Sequence, residues 1–166
     1  RYGQEGIDEV IVLDVTATID GRRALAETIM RVSSQVFIPL TVGGGIASPG
    51  DARAAFDAGA DKVSLNSAAL RQPALIAQLA DRYGSQAVVV AIDAKRDGSR
   101  HRVFSRSGST DTGRDAVEWA CEAMSLGAGE ILLTSIDRDG TRAGGCGREA
   151  ADRTGCGARR GLDPGA

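Results

Sequence analysis

Small, polar and acidic residues gather at five points of this sequence, each where a short apolar run gives out. They are Asp14-Val15-Thr16, Gly43-Gly44-Gly45, Asn66-Ser67, Asp93-Ala94-Lys95 and the stretch from Ser135 through Asp137, Asp139 and Gly140 to Thr141. Three adjacent glycines let a backbone approach a ligand closely and turn N–H groups toward a phosphate, although a flexible turn uses the same residues. Asn66 and Ser67 add side-chain hydrogen-bonding groups, and with the glycines they form a candidate phosphate cradle. Asp93 ends the apolar run Ala87–Ile92. A carboxylate at the mouth of an apolar interior suits proton transfer; capping a loop is the alternative. Asp137 and Asp139 have the same two options, the second being to hold the turn at Gly140. His101 is the only histidine, which argues against Ser-His-Asp chemistry and a histidine-rich metal site. Cys146 and Cys156 fall in a tail poor in apolar residues, so a zinc site is not expected; no cofactor is expected either.

These groups need a frame. Apolar runs at Glu9–Leu13, Ile38–Val42, Lys62–Leu65, Ala87–Ile92 and Glu130–Ile136 are too continuous for a sheet with one wet face, and they predict buried parallel strands. Between them lie stretches of helical period. Asp20 is expected to cap a helix burying Leu25, Ile29 and Met30. Ser48, Pro49 and Asp51 make an N-cap, a first-turn proline and a first-turn acid. The next helix starts near Pro73 and buries Leu75, Ile76 and Leu79. A fourth places Val117, Ala120, Cys121 and Met124 on one stripe. Gly59, Gly84 and Gly127 stand where helices end.

Strands alternating with helices predict a parallel α/β fold. An internal echo separates an open sheet from a closed barrel. Residues 6–12, GIDEVIV, resemble residues 127–133, GAGEILL. Four βα units of about 30 residues each span that interval, and a repeat every four units implies eight, a (βα)8 TIM barrel. A full barrel runs to about 250 residues, so with 166 residues the fold is expected to be incomplete, with strands two to six present and the first and last two missing. The expected organisation is a partial barrel over 1–142 and a degenerate or disordered tail over 143–166. That tail has one Leu, Leu162, and no Val, Ile, Phe, Tyr, Trp or Met. It cannot bury enough apolar surface to order itself, and it reads like a shifted or truncated frame.

Composition narrows the class. A net charge of −2 gives no electrostatic reason to expect nucleic acid or a membrane surface as partner. No apolar run approaches the roughly 18 residues of a membrane span. Three cysteines make no disulfide framework, and a cytoplasmic location is expected.

Glu9, Lys62 and Glu130 each open a strand, the second, fourth and sixth in barrel order. Alternate strands contribute the same layer of inward side chains. Charges in such a layer must pair or be wet, so this one is either an ion-pair plug or a polar gate into the interior.

With these motifs on the page, the sequence resembles the cyclase subunit family of imidazole glycerol phosphate synthase. The segment Gly84-Ser85-Gln86-Ala87-Val88-Val89-Val90-Ala91-Ile92-Asp93-Ala94-Lys95-Arg96 is similar to that family's fifth-strand motif, and Gly127 through Thr141 to its sixth. Thr41 to Ile46 and Gly59 to Ser64 fit as well, and the likeness covers about residues 1–142. The resemblance implies a lyase of histidine biosynthesis. Such an enzyme takes ammonia and a phosphoribulosyl formimino aminoimidazole carboxamide ribotide. It yields imidazole glycerol phosphate and aminoimidazole carboxamide ribotide. It further implies a heterodimer whose glutaminase subunit docks at the bottom of the barrel and sends ammonia through the interior. Glu9, Lys62 and Glu130 then match the ammonia gate and Asp61 the partner interface. Asp93 matches one of two catalytic aspartates, Gly45, Asn66 and Ser67 the first phosphate site, and Asp139 lies near substrate. The family's first strand, with the other aspartate and the gate's arginine, and the second phosphate site have no counterpart here. The chain alone is therefore expected to be inactive and poorly stable. Two rivals stand beside this reading: the sister isomerase of the same pathway, which has no ammonia to pass, and a non-enzymatic fragment that binds only the glutaminase or an anion.

Overall fold

The computed structural model describes residues 9–13, 19–35, 37–106 and 108–138. Its elements alternate as the apolar pattern predicts. Strand β1 (Val10–Leu13) leads to helix α1 (Ile19–Ser33), β2 (Leu40–Gly43) to α2 (Pro49–Asp57), and β3 (Lys62–Leu65) to the short α3 (Ser67–Arg71) and α4 (Ala74–Tyr83). A long strand β4 (Val88–Asp97) follows, then β5 (Arg100–Ser105), β6 (Thr110–Asp115), α5 (Ala116–Ser125) and β7 (Glu130–Ser135).

Strands β1, β2, β3, β4 and β7 pair in parallel, each with the next of the five in the chain. A doubly wound sheet reverses its order at a switch point; no reversal occurs among the described strands. Right-handed crossovers of constant direction put every helix on one face, which is how a barrel is wound. The core lies between that face and the helices. Val42, Val63, Leu65, Val88, Val90 and Ile92 from the strands meet Ile29, Ala52, Ala55, Leu75, Ile76 and Leu79 from the helices, all buried. Gly59, Gly84 and Gly127 follow their helices with positive φ, the conformation that stops a helix cheaply only at glycine.

Several local expectations need correction. Helix α1 begins at Ile19, so Asp20 lies in its first turn instead of before it. Met30 is exposed while Ile29 is buried, and the Leu25 side chain lies outside the described residues. On α5 the buried residues are Ala116, Trp119 and Ala123. Val117 is 45% and Met124 41% exposed, while Ala120 packs half-buried against the core, so the expected stripe meets the sheet only along one edge. The residues after Asp93 are not a plain loop but an antiparallel excursion. Strand β3 occupies one edge of β4 only as far as Val90, and β7 occupies the other edge. From Asp93 onward β5 takes over the vacated edge, and β6 adds to β5. This places the excursion directly beyond the carboxyl end of β3. His101 sits on β5, opposite Arg96 and exposed.

Candidate active site

The carboxyl ends of β2, β3 and β4 converge because their registers are tight. Gly43 pairs with Ser64, and Leu65 with Val90, so the residues that follow each strand emerge side by side. Gly44 and Gly45 both have positive φ, 85° and 70°. A Cβ at Gly45 would meet nothing within 4 Å, so only backbone conformation demands glycine there, and the space beside it is open. Asn66 and Ser67 follow β3 at once. Asn66 donates from Nδ2 to Oδ2 of Asp93 at 2.9 Å. Asp93, half-buried on β4, is paired on both sides, with Phe104 of β5 and Thr134 of β7. The Ser67 hydroxyl accepts a hydrogen bond from the backbone N–H of Arg106 at 3.4 Å. The turn after β5 thus rests on the candidate cradle. Lys95 secures that turn, its ammonium donating to the Gly108 carbonyl at 3.2 Å and lying 4.5 Å from the Phe104 ring centre. Asp137 accepts from the Arg96 N–H at 2.7 Å, which ties the turn after β7 to β4. Asp14, Val15, Thr16 and Asp139, like Cys146 and Cys156, lie outside the described residues. Among the described residues no three His, Cys, Asp or Glu side chains group as a metal site, and no helix is long and apolar enough to cross a membrane.

A second polar cluster stands at the amino ends of the same strands. Lys62 Nζ lies 2.6 Å from Glu130 Oε1 and 3.4 Å from Glu9 Oε1. The Thr41 hydroxyl donates to the same Glu9 oxygen. Burial alone would lower the Lys62 pKa, but the hydrogen bond to Glu130 and the two carboxylate charges outweigh it and raise it above 10.5. The two copies of the internal echo thereby supply the two glutamates of one lysine. Asp61, next to Lys62, clasps the start of β2. Its carboxylate accepts from the Leu40 N–H, and its own N–H donates to the Leu40 carbonyl, both at 2.9 Å. Asp61, Phe37, Ile38 and Pro39 line a shallow depression of about 370 Å³ on this amino face. Phe37 is 100% exposed. It was hidden to sequence reading because it precedes the run Ile38–Val42 and looks like more of the same strand.

The region over 1–149 matches the family model described as histidine biosynthesis protein. The chain belongs to that family. Curated relatives agree with it. The chain is 59% identical over 143 residues to the imidazole glycerol phosphate synthase subunit HisF of Chloroherpeton thalassium, covering 86% of this chain and 57% of the relative. It is 56% identical over 144 residues to the subunit of the same name from Acidobacterium capsulatum, covering 87% and 57%. The chain therefore spans a little over half the length of these relatives. Family membership accounts for the sequential strand order: the parallel strands are an arc of a (βα)8 barrel.

Proposed function

We propose that this chain is the part of the ammonia-using cyclase subunit of imidazole glycerol phosphate synthase that carries one catalytic aspartate, the first phosphate site and most of the ammonia gate. The observation that carries this reading is a pair of polar clusters at opposite ends of the same strands. On β3, Lys62 opens a four-residue strand and Asn66-Ser67 follow it. At roughly 3.3 Å per residue the two ends lie about 13 Å apart. Ammonia released at the amino face would pass the Glu9–Lys62–Glu130 layer and travel that distance to Asp93. Charges retained in a barrel layer normally filled by Val, Ile and Leu fit a gate better than a filler.

At the carboxyl end, Ser67 and the backbone at Gly45 hold one phosphate of the ribotide, with Asn66 beside them, and Asp139 contributes nearby. Asp93 exchanges protons as ammonia adds to the ribulosyl carbonyl, then during ring closure and cleavage to imidazole glycerol phosphate and aminoimidazole carboxamide ribotide. The glutaminase subunit docks on the amino face, where Asp61 and the exposed Phe37 lie. Residues 1–142 form the catalytic segment, acting in the cytoplasm without cofactor or metal.

The test is Asp93→Asn in a full-length protein carrying this segment, assayed with ammonium salts so that no glutaminase is needed. Turnover should fall by about 10²- to 10⁴-fold, the usual worth of a positioned acid–base, while substrate affinity stays. Near-normal turnover would remove Asp93 from the chemistry.

A further inference from the structure

Asn66 occupies the N-cap of α3 and does not cap it. An asparagine there ordinarily turns its Oδ1 to a backbone N–H two or three residues on. Here the amide nitrogen reaches across 27 residues of sequence to Asp93, and Oδ1 is buried with no partner. The side chain thus gives up its local bond and leaves an acceptor stranded, two unfavourable choices made at one residue. Its orientation is fixed by chemistry. A carboxylate only accepts, so the NH₂ must face Asp93; the flipped amide would set acceptor against acceptor.

The stranded atom decides what it waits for. Phosphate oxygens are acceptors too, so a buried carbonyl oxygen has the wrong polarity for them, and one of the two N–H donors on the same amide is already spent on Asp93. Ser67 has the right polarity. Its oxygen takes the Arg106 N–H and its own O–H is left to donate. The geometry points to a division of labour between the adjacent pair: Asn66 positions the Asp93 carboxylate and accepts from a hydroxyl or N–H of the substrate beside the reacting centre, while phosphate is left to Ser67 and the glycine backbone. This rests on the reading of Asp93 as the acid–base.

The experiment compares Asn66→Ala, Asn66→Asp and Ser67→Ala in a full-length protein carrying this segment, with ammonium salts as nitrogen source and inorganic phosphate as competitor. Asn66→Ala should lower kcat by roughly 10- to 100-fold, as loss of a hydrogen bond to a charged group does. KM and inhibition by phosphate should stay within about twofold, because no ground-state contact to phosphate is removed. In Asn66→Asp the introduced carboxylate is an acceptor only and sets like charge against Asp93, so kcat should fall at least as far as in Asn66→Ala. Ser67→Ala should instead raise KM and weaken phosphate inhibition. If Asn66→Ala weakens phosphate as much as Ser67→Ala does and leaves kcat alone, Asn66 is a phosphate ligand and the proposal is wrong. A normal Asp93→Asn would sink the acid–base reading itself, whereas normal Asn66 variants beside an inactive Asp93→Asn sink only this assignment.

Discussion

Lys62 ties the electrostatics of this protein to a measurable pH dependence. Its side chain is 17% exposed and holds two glutamates, one of them 46% exposed. Its folded pKa lies above the unfolded value of 10.5. The stabilisation is therefore complete below about pH 10.5 and is lost as pH rises through the folded value. Lys62→Met should lower stability at neutral pH by about 1–2 kcal/mol. That is less than for a fully buried pair, because solvent screens Glu130. Thermal melts of both proteins across the alkaline range should begin to converge above pH 10.5 and meet beyond the folded value; a constant gap would mean that lost packing, not charge, is the cause. This cluster was legible in the sequence because a charge that opens an apolar run is conspicuous. The Asn66–Asp93 bond was not, because it depends on the register of β3 against β4, which no local pattern encodes. The Asp61 clasp on Leu40 was hidden for the same reason.

At the level of elements, the five parallel strands were legible as apolar runs, and Leu75, Ile76 and Leu79 of α4 as the buried face. Helix α5 was read one face out. Its expected stripe is the more apolar by count, with Val117, Cys121 and Met124. The face it buries carries Ala116, Trp119 and Ala123. Neighbouring residues on a helix project about 100° apart, so a shift of one position turns most of the stripe away from the sheet. Small alanines let the helix sit close, and one Trp fills the gap that remains; counting apolar residues misses both effects. Trp119→Ala should cost about 3–5 kcal/mol and Val117→Lys no more than about 0.5 kcal/mol, read from denaturant midpoints at constant slope. Equal costs would mean that the expected stripe is buried after all. The β5–β6 excursion escaped notice because Arg100, His101, Arg102 and residues Thr110 to Arg114 are polar. Only Val103 on β5 is fully buried, so the alternation of a half-buried strand never becomes regular.

For the whole molecule, the five parallel strands run in sequential order as an arc of a barrel, and the two polar clusters stand at its opposite ends. The amino end holds the lysine and its two glutamates; the carboxyl end holds Asp93, Asn66, Ser67 and the glycine turn. On the function proposed above, the division separates two routes by which ammonia would reach Asp93. Ammonium salts in solution would supply it from the carboxyl side without crossing the charged layer. Ammonia made by a docked glutaminase would have to cross it. In a full-length protein assembled with its glutaminase, Lys62→Met breaks the layer and leaves Glu9 and Glu130 facing each other without a counter-charge. Glutamine-driven turnover should then fall several-fold, or glutamine hydrolysis should run ahead of product formation. Turnover on ammonium salts should stay within about twofold, because that route meets none of the altered groups. The paired assays, cyclised product against glutamate released, read this directly. An equal loss on both nitrogen sources would show that the layer only braces the strands, and the gate assignment would fall.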